Sequence, residues 1–338
     1  VSAVKERRCL SGIYRLLQRI LRSRDEGYVP PRKTGLQLPP EMFDIDHGLP
    51  YPRWGAVKIF IRSLPGEFNL HEYYCDAVEI WLQRLISSLG PSYHVQESKH
   101  FMLLVAGNSS SILKAAERIR EEIIKLLNQA AWTDGVGKHV ALIFTTMKEY
   151  QAYLSHFDRG EGRVAASGGV CILDGYVHIA LPTPREYESA LAHELTHNLL
   201  AHRKCPRWLE EGIATIVGNH FSGNRNYDAR ITRHRMECHR RYWRHHGLDH
   251  FWKGRSFRFP GGQQLSYQLA VILTKVIIDH AGSKFGEFVL KADRSDMGAT
   301  AASNILEHPL EYFAEKVLGA GDWVPKISEV KKSIDSAR

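Results

Sequence analysis

The stretch TPREYESALAHELTHNLL, residues 183–200, decides how this chain is read. Thr183 offers an N-cap hydroxyl, Pro184 suits the first helical position, and Glu186 stands where a capping box places its carboxylate, so a helix is predicted to begin here. Tyr187, Leu191, Leu195 and Leu199 recur every four residues and form an apolar stripe. His193 lies about 200° around the helix from Leu191, so the histidines of His193-Glu194-Leu195-Thr196-His197 stand off the packing stripe. Four residues at about 100° each put both imidazoles on one face, about 6 Å apart along the axis. Both can reach one metal ion.

Neutral imidazole is a borderline-soft ligand that suits zinc, and a catalytic zinc site keeps one position for water beside three protein ligands. Glu194, beside the first histidine, reads as the general base that takes a proton from that water rather than as a ligand. A third ligand is needed. Eleven residues after His197, Trp208-Leu209-Glu210-Glu211-Gly212-Ile213-Ala214 follows Pro206 and reads as a second helix that carries acidic residues. Measured from Leu209, Glu210 lies about 100° and Glu211 about 200° around that helix, both off the Leu209-Ile213-Ile216 stripe, so helical angles leave both open.

Together, these two segments resemble the gluzincin metallopeptidases, which include thermolysin-like and aminopeptidase-N-like enzymes, and more closely the small bacterial peptidase MA-like domains. The resemblance implies that the ligand is the glutamate directly before the glycine, which is Glu211, with Glu210 on the variable position. It implies a metal set of His193, His197 and Glu211 around Zn2+, with Glu194 as catalytic base. Tyr267, in Leu265-Ser266-Tyr267-Gln268-Leu269-Ala270, is the candidate donor to the carbonyl oxygen, where negative charge develops during hydrolysis. In the resembling domains a tyrosine opens the helix after the ligand helix. An apolar helix and a glycine then follow, like 271–278 and Gly282 here. One departure stands out: where thermolysin-like relatives have an aspartate four residues after the ligand to steady a histidine, this chain has Thr215, so that support is weaker or comes from elsewhere. The metzincin pattern is excluded, because it needs Gly at 200 and His at 203, where Leu200 and Arg203 stand. His202, one residue off that register, reads as a histidine at the helix C-terminus.

The likeness extends over about 98–318, and the fold class it implies, together with the strand and helix pattern, is α+β and zincin-like. A mixed β-sheet with an edge strand precedes a mainly helical half that carries the metal motif and third ligand. Strands are predicted at 57–61, 93–105 (as a strand or hairpin) and 139–145, and helices at 70–89, 109–130 and 148–157. Asp174-Gly175 predicts a two-residue type I′ hairpin between 170–173 and 176–181. A strand within 164–173 is expected to be the edge on which a peptide substrate pairs. Four regions are expected: a basic amphipathic helix and Pro-rich extension at 1–54, an α/β accessory region at 55–138, the catalytic domain at 139–321, and a helical tail at 322–338.

The 338 residues, 43% hydrophobic, can bury a sizeable core, and charges interrupt every apolar run before the roughly 20 residues a membrane-spanning helix needs. Five scattered cysteines form no C-x-x-C pair, which argues against a disulfide framework. With no secretory signal after Val1, a cytoplasmic setting is the expectation. The helix at 3–24, with Leu10, Ile13, Leu17, Ile20 and Leu21 among arginines, docks on the protein's own body or contacts a membrane surface or partner.

Net charge is +8, and much of the excess lies in 225–258, which holds ten Lys or Arg and three acids together with five histidines. No nucleic-acid motif accompanies it, so a solvated helix and loop is expected there rather than a nucleic-acid partner. A second metal at Cys238 and His239 lacks paired ligand spacing. Gly160-Glu161-Gly162 and Gly137-Lys138-His139 do not complete nucleotide-binding fingerprints, and no G-x-S-x-G elbow exists. The expected activity is zinc-dependent cleavage of a peptide or protein substrate. Hydrolysis of a non-peptide bond by the same groups, and a non-catalytic zinc-containing scaffold, are the alternatives.

Overall fold

A computed structural model describes residues 34–64, 69–107, 110–127, 135–157, 168–182, 187–222, 233–259 and 261–326. The predicted N-terminal helix, the capping residues 183–186, the start of the basic segment and the tail beyond 326 lie outside them. By contacts the described residues form two compact units, 34–123 with 135–198 and 124–127 with 199–326. The architecture is α+β: the first unit holds a mixed five-stranded sheet, and among its described residues the second has only helical elements from residue 207 onward.

The first unit opens with β1 (Phe43–Asp46) and β2 (Leu49–Pro52), an antiparallel pair joined at His47 (φ 49°) and Gly48 (φ 77°). Two positive φ angles are what a two-residue type I′ turn requires. The last part of the Pro-rich extension, residues 43–52, thus folds back on itself as a hairpin.

The strand expected at 57–61 is instead part of helix α1 (Trp54–Ser63). Trp54, Val57 and Ile61 are buried at helical intervals while Ile59 is 72% exposed, a periodicity of a helix and not the alternation of a strand. Next come α2 (Leu70–Leu89), β3 (Tyr93–Glu97), β4 (Phe101–Ala106), α3 (Ser110–Leu126), β5 (His139–Phe144) and α4 (Met147–Ser155). A capping box between Thr146 and Glu149 starts α4. The short β6 (Val170–Ile172) and then β7 (His178–Pro182) complete the sheet. Its order is β3-β4-β5-β7-β6: the central β4, β5 and β7 run parallel, and β3 and β6 lie antiparallel at the two edges.

The β6–β7 connection is not the predicted two-residue turn. Val170 pairs with Ala180 and Ile172 with His178, which leaves five residues, 173–177, between the strands, and only Gly175 has a positive φ (76°). The cause is tertiary. Buried Tyr176 donates its hydroxyl to the Lys138 carbonyl, and Gly175 lies so close to Trp54 that a Cβ would collide with its ring. Those contacts pull the chain out of the ladder before the turn closes.

His178 is a fully buried histidine with a defined tautomer. Its Nδ1 donates to the Tyr176 carbonyl (2.7 Å), and its Nε2 accepts from the Tyr153 hydroxyl (2.7 Å). Burial depresses its pKa from 6.5 to about 4. The neutral ring therefore contributes stability above pH ~6.5 that is lost as pH falls through about 4, because the unfolded chain takes up the proton first. Unfolding free energy should drop by roughly 3 kcal/mol across that window. Urea denaturation at stepped pH checks this, and His178→Gln should flatten that part of the profile.

α5 (Tyr187–Leu200) follows β7. The second unit then runs through α6 (Arg207–Phe221), α7 (Arg233–His246), α8 (Asp249–Trp252), α9 (Gln263–Ala281), α10 (Phe285–Lys291), α11 (Ala299–Ile305) and α12 (Leu310–Leu318). Trp208 anchors α6: its ring is fully buried, meets Trp252 edge-on at 5.3 Å, and donates its indole N–H to the Met297 carbonyl at 3.0 Å. Gly212 lets α6 and α9 approach closely. A Cβ there would strike Thr274 Oγ1 and come within 2.7 Å of the Ala270 carbonyl oxygen. Gly212→Ala is therefore expected to destabilise the protein by about 1–3 kcal/mol through overpacking, measurable as a lower urea midpoint. No described helix is long and apolar enough to cross a membrane.

Candidate metal centre

α5 is rotated by its own sequence. Leu191 and Leu195 are fully buried and Leu199 is 4% exposed, so the leucine stripe faces the interior as its spacing predicts. Buried Asn198 fixes the other contacts of this helix: His139 Nδ1 donates to its Oδ1 (2.7 Å), and its amide donates to the Val177 carbonyl (3.4 Å). His193 and His197 are left half-buried on another face, with their Nε2 atoms 3.2 Å apart. Donor atoms on zinc–nitrogen bonds of 2.0–2.1 Å at tetrahedral angles sit roughly 3.3 Å apart, so this spacing suits two ligands of one ion.

The carboxylate of Glu211 joins them: ligand atoms of His193, His197 and Glu211 all lie within 4.8 Å of one another. Among the described residues this is the one group of three or more His, Cys, Asp or Glu side chains so placed. The residues fit a zinc ion, since two imidazoles and a carboxylate are the His2Glu donor set of catalytic zinc. Glu210 is outside the group; its carboxylate lies 3.9 Å from Arg294. Glu211 is 4% exposed. Its Oε1 meets the Arg207 guanidinium at 3.0 Å and accepts from the Tyr267 hydroxyl at 3.4 Å. Tyr267 thus stands beside the third candidate ligand, half-buried, with Phe257 edge-on against its ring at 5.2 Å.

Glu194, only 9% exposed, is next to His193 but outside the ligand group. Gly169, just before β6, makes room for it. A Cβ on Gly169 would press on Leu181 and come 3.1 Å from Glu194 Cγ.

Two of these residues escaped the sequence reading. Arg207 pairs with Glu211 at i,i+4, a spacing that could have flagged it; its stem lies on Gly254, where a Cβ would come 2.8 Å from Arg207 Cβ. Gly169 had no such signal, because its role depends on Leu181 and Glu194. Other candidates stay apart from the centre. His202 is exposed just past the end of α5. His239 is 1% exposed and packed between Trp243 and Gln268, as a core histidine rather than a ligand with Cys238. Comparison of the chain with known protein families, with curated proteins and with solved structures finds no match.

Proposed function

We propose that this protein is a zinc-dependent hydrolase that cleaves peptide bonds. The observation that carries the reading is the convergence of His193, His197 and Glu211, from two helices, within 4.8 Å of one another, with Glu194 buried next to the first ligand. When bound, a zinc ion supplies Lewis acidity toward a carbonyl and lowers the pKa of a water molecule to about 7.

The remaining roles fall to the chain itself. His193 and His197 hold the ion as neutral imidazoles, and Glu211 contributes the anionic donor. Arg207 keeps the Glu211 carboxylate in place through its contact with Oε1. Glu194 accepts the proton of the attacking water at its carboxylate and later delivers it to the leaving amine. The Tyr267 hydroxyl, which donates to Glu211 Oε1 over a long 3.4 Å, would turn from that carboxylate to the carbonyl oxygen as charge builds there. β6, at one edge of the sheet, is the strand against which an extended peptide would pair its backbone.

Metal content by plasma mass spectrometry and cleavage of a mixed peptide library test this reading together. About one zinc per chain, and cleavage abolished by a chelator and restored by zinc, is the expected result. A protein that takes up no zinc overturns it, and one that holds zinc but leaves every peptide intact is the scaffold instead.

A further inference from the structure

α7 is held on one side and largely exposed on the other, where Arg244 comes near Gly319, just after α12. On the held side Trp243 Nε1 donates to His239 Nδ1 (3.3 Å), so the histidine's other nitrogen, Nε2, carries the proton and donates to Gln268 Oε1 (3.2 Å). That chain of bonds ties α7 to α9 at the residue next to Tyr267.

On the opposite side Glu237, Arg240, Arg241, Arg244 and His245 follow the spacing i, i+3, i+4, i+7, i+8 and line one shallow concave strip. All five are exposed. Some arginines elsewhere find carboxylates, as Arg53 does with Asp44, Arg118 with Glu188 and Arg207 with Glu211, while among the described residues Arg62, Arg255 and Arg258 stand singly without one. Among the described residues, Arg240, Arg241 and Arg244 form no such pair. The helix dipole favours cations in the last turn, which accounts for Arg244 and His245 but not for Arg240 and Arg241 a turn earlier. Arg240 and Arg241 repel Arg244 at four and three residues' distance, and the single Glu237 on the same strip offsets only part of the charge of three arginines, so the strip keeps a positive excess that an anionic partner would neutralise.

We propose that this strip docks a short acidic segment of a protein and thereby recruits acidic protein substrates; the recruiting role rests on the peptidase reading, whereas the docking does not. Planar guanidinium groups take carboxylates through paired hydrogen bonds. From Glu237 to His245 the strip spans about 12 Å of helix axis, the length of about four extended residues. A nucleic acid fits less well. Its affinity at physiological salt draws on roughly 6–10 phosphate contacts, more than three arginines provide, and the strip presents no Phe, Tyr or Trp on which a base could stack. Membrane insertion needs apolar side chains beside the charges, and none of the exposed large hydrophobic residues lies on α7.

The test uses the full chain and fluorescein-labelled octaglutamate, read by fluorescence anisotropy. Expected is binding that weakens steeply with added salt and falls at least tenfold in the triple variant Arg240→Gln/Arg241→Gln/Arg244→Gln, whose melting curve reports that it is folded. Labelled octalysine should not bind. Equal binding by parent and variant overturns the proposal, as does tenfold tighter binding of a 20-nucleotide single-stranded DNA that the variant loses. In a second arm, adding an octaglutamate tag to a cleaved peptide should lower KM at least fivefold for the parent, and that advantage should vanish in the triple variant. If octaglutamate binds but no peptide is cut, the docking stands and the peptidase reading fails.

Discussion

Glu194→Gln is expected to keep its zinc and to lose peptide hydrolysis by about 10²–10⁴-fold, the range typical for removal of a positioned general base. The amide replaces the carboxylate with almost the same shape, so the side chain keeps its narrow seat against Gly169, where space is set by a Cγ only 3.1 Å from where a Cβ would stand. What changes is chemistry. An amide has no negative charge and takes no proton near neutral pH, so the attacking water keeps its proton. Zinc content should be unaffected, because Glu194 is not among the three side chains whose ligand atoms converge. Turnover on the cleaved peptide and zinc per chain should be measured on the same preparation. Undiminished cleavage would remove Glu194 from the mechanism, and loss of zinc would make it a ligand instead of a base.

The helix that carries this residue was legible because every clue to it is local. Leucines recur every four residues, the histidines stand off that stripe, and the burial of Leu191, Leu195 and Leu199 follows the same arithmetic. Features set by distant parts of the chain were less legible. The apolar residues at 57–61 fit a strand by composition, and only packing against other elements selects α1. The turn after β6 depends on Tyr176 reaching Lys138 and Gly175 meeting Trp54, residues far apart in the chain. The candidate centre divides the same way: His193 and His197 follow from one helical repeat, whereas Gly169 and the seat of Arg207 follow from contacts between segments.

Glu211→Ala should abolish the stabilisation that zinc confers, while Glu210→Ala should leave it intact. The two carboxylates are neighbours in sequence, and helical angles alone do not choose between them. Their surroundings do. The Glu211 carboxylate approaches both histidines, whereas Glu210 faces Arg294 at 3.9 Å. Removing one of three protein ligands should cost more than the 10–100-fold in metal affinity that loss of an outer-shell partner costs. A ligand that binds only the folded state stabilises it by about 4 kcal/mol at a free concentration 1,000 times its dissociation constant. At that concentration a hundredfold loss of affinity still leaves about 1.4 kcal/mol and a thousandfold loss about 0.4 kcal/mol, so the shift nearly vanishes once removal of the ligand weakens binding about a thousandfold. Differential scanning calorimetry with buffered zinc and with chelator should show a large shift for the parent and for Glu210→Ala, and almost none for Glu211→Ala. The chelated proteins form the necessary control. Arg207, with 39% of its side chain exposed, can turn to water when its partner is gone, so Glu211→Ala without metal should melt close to the parent without metal. A zinc shift that survives in Glu211→Ala and disappears in Glu210→Ala would assign the third ligand to the other glutamate.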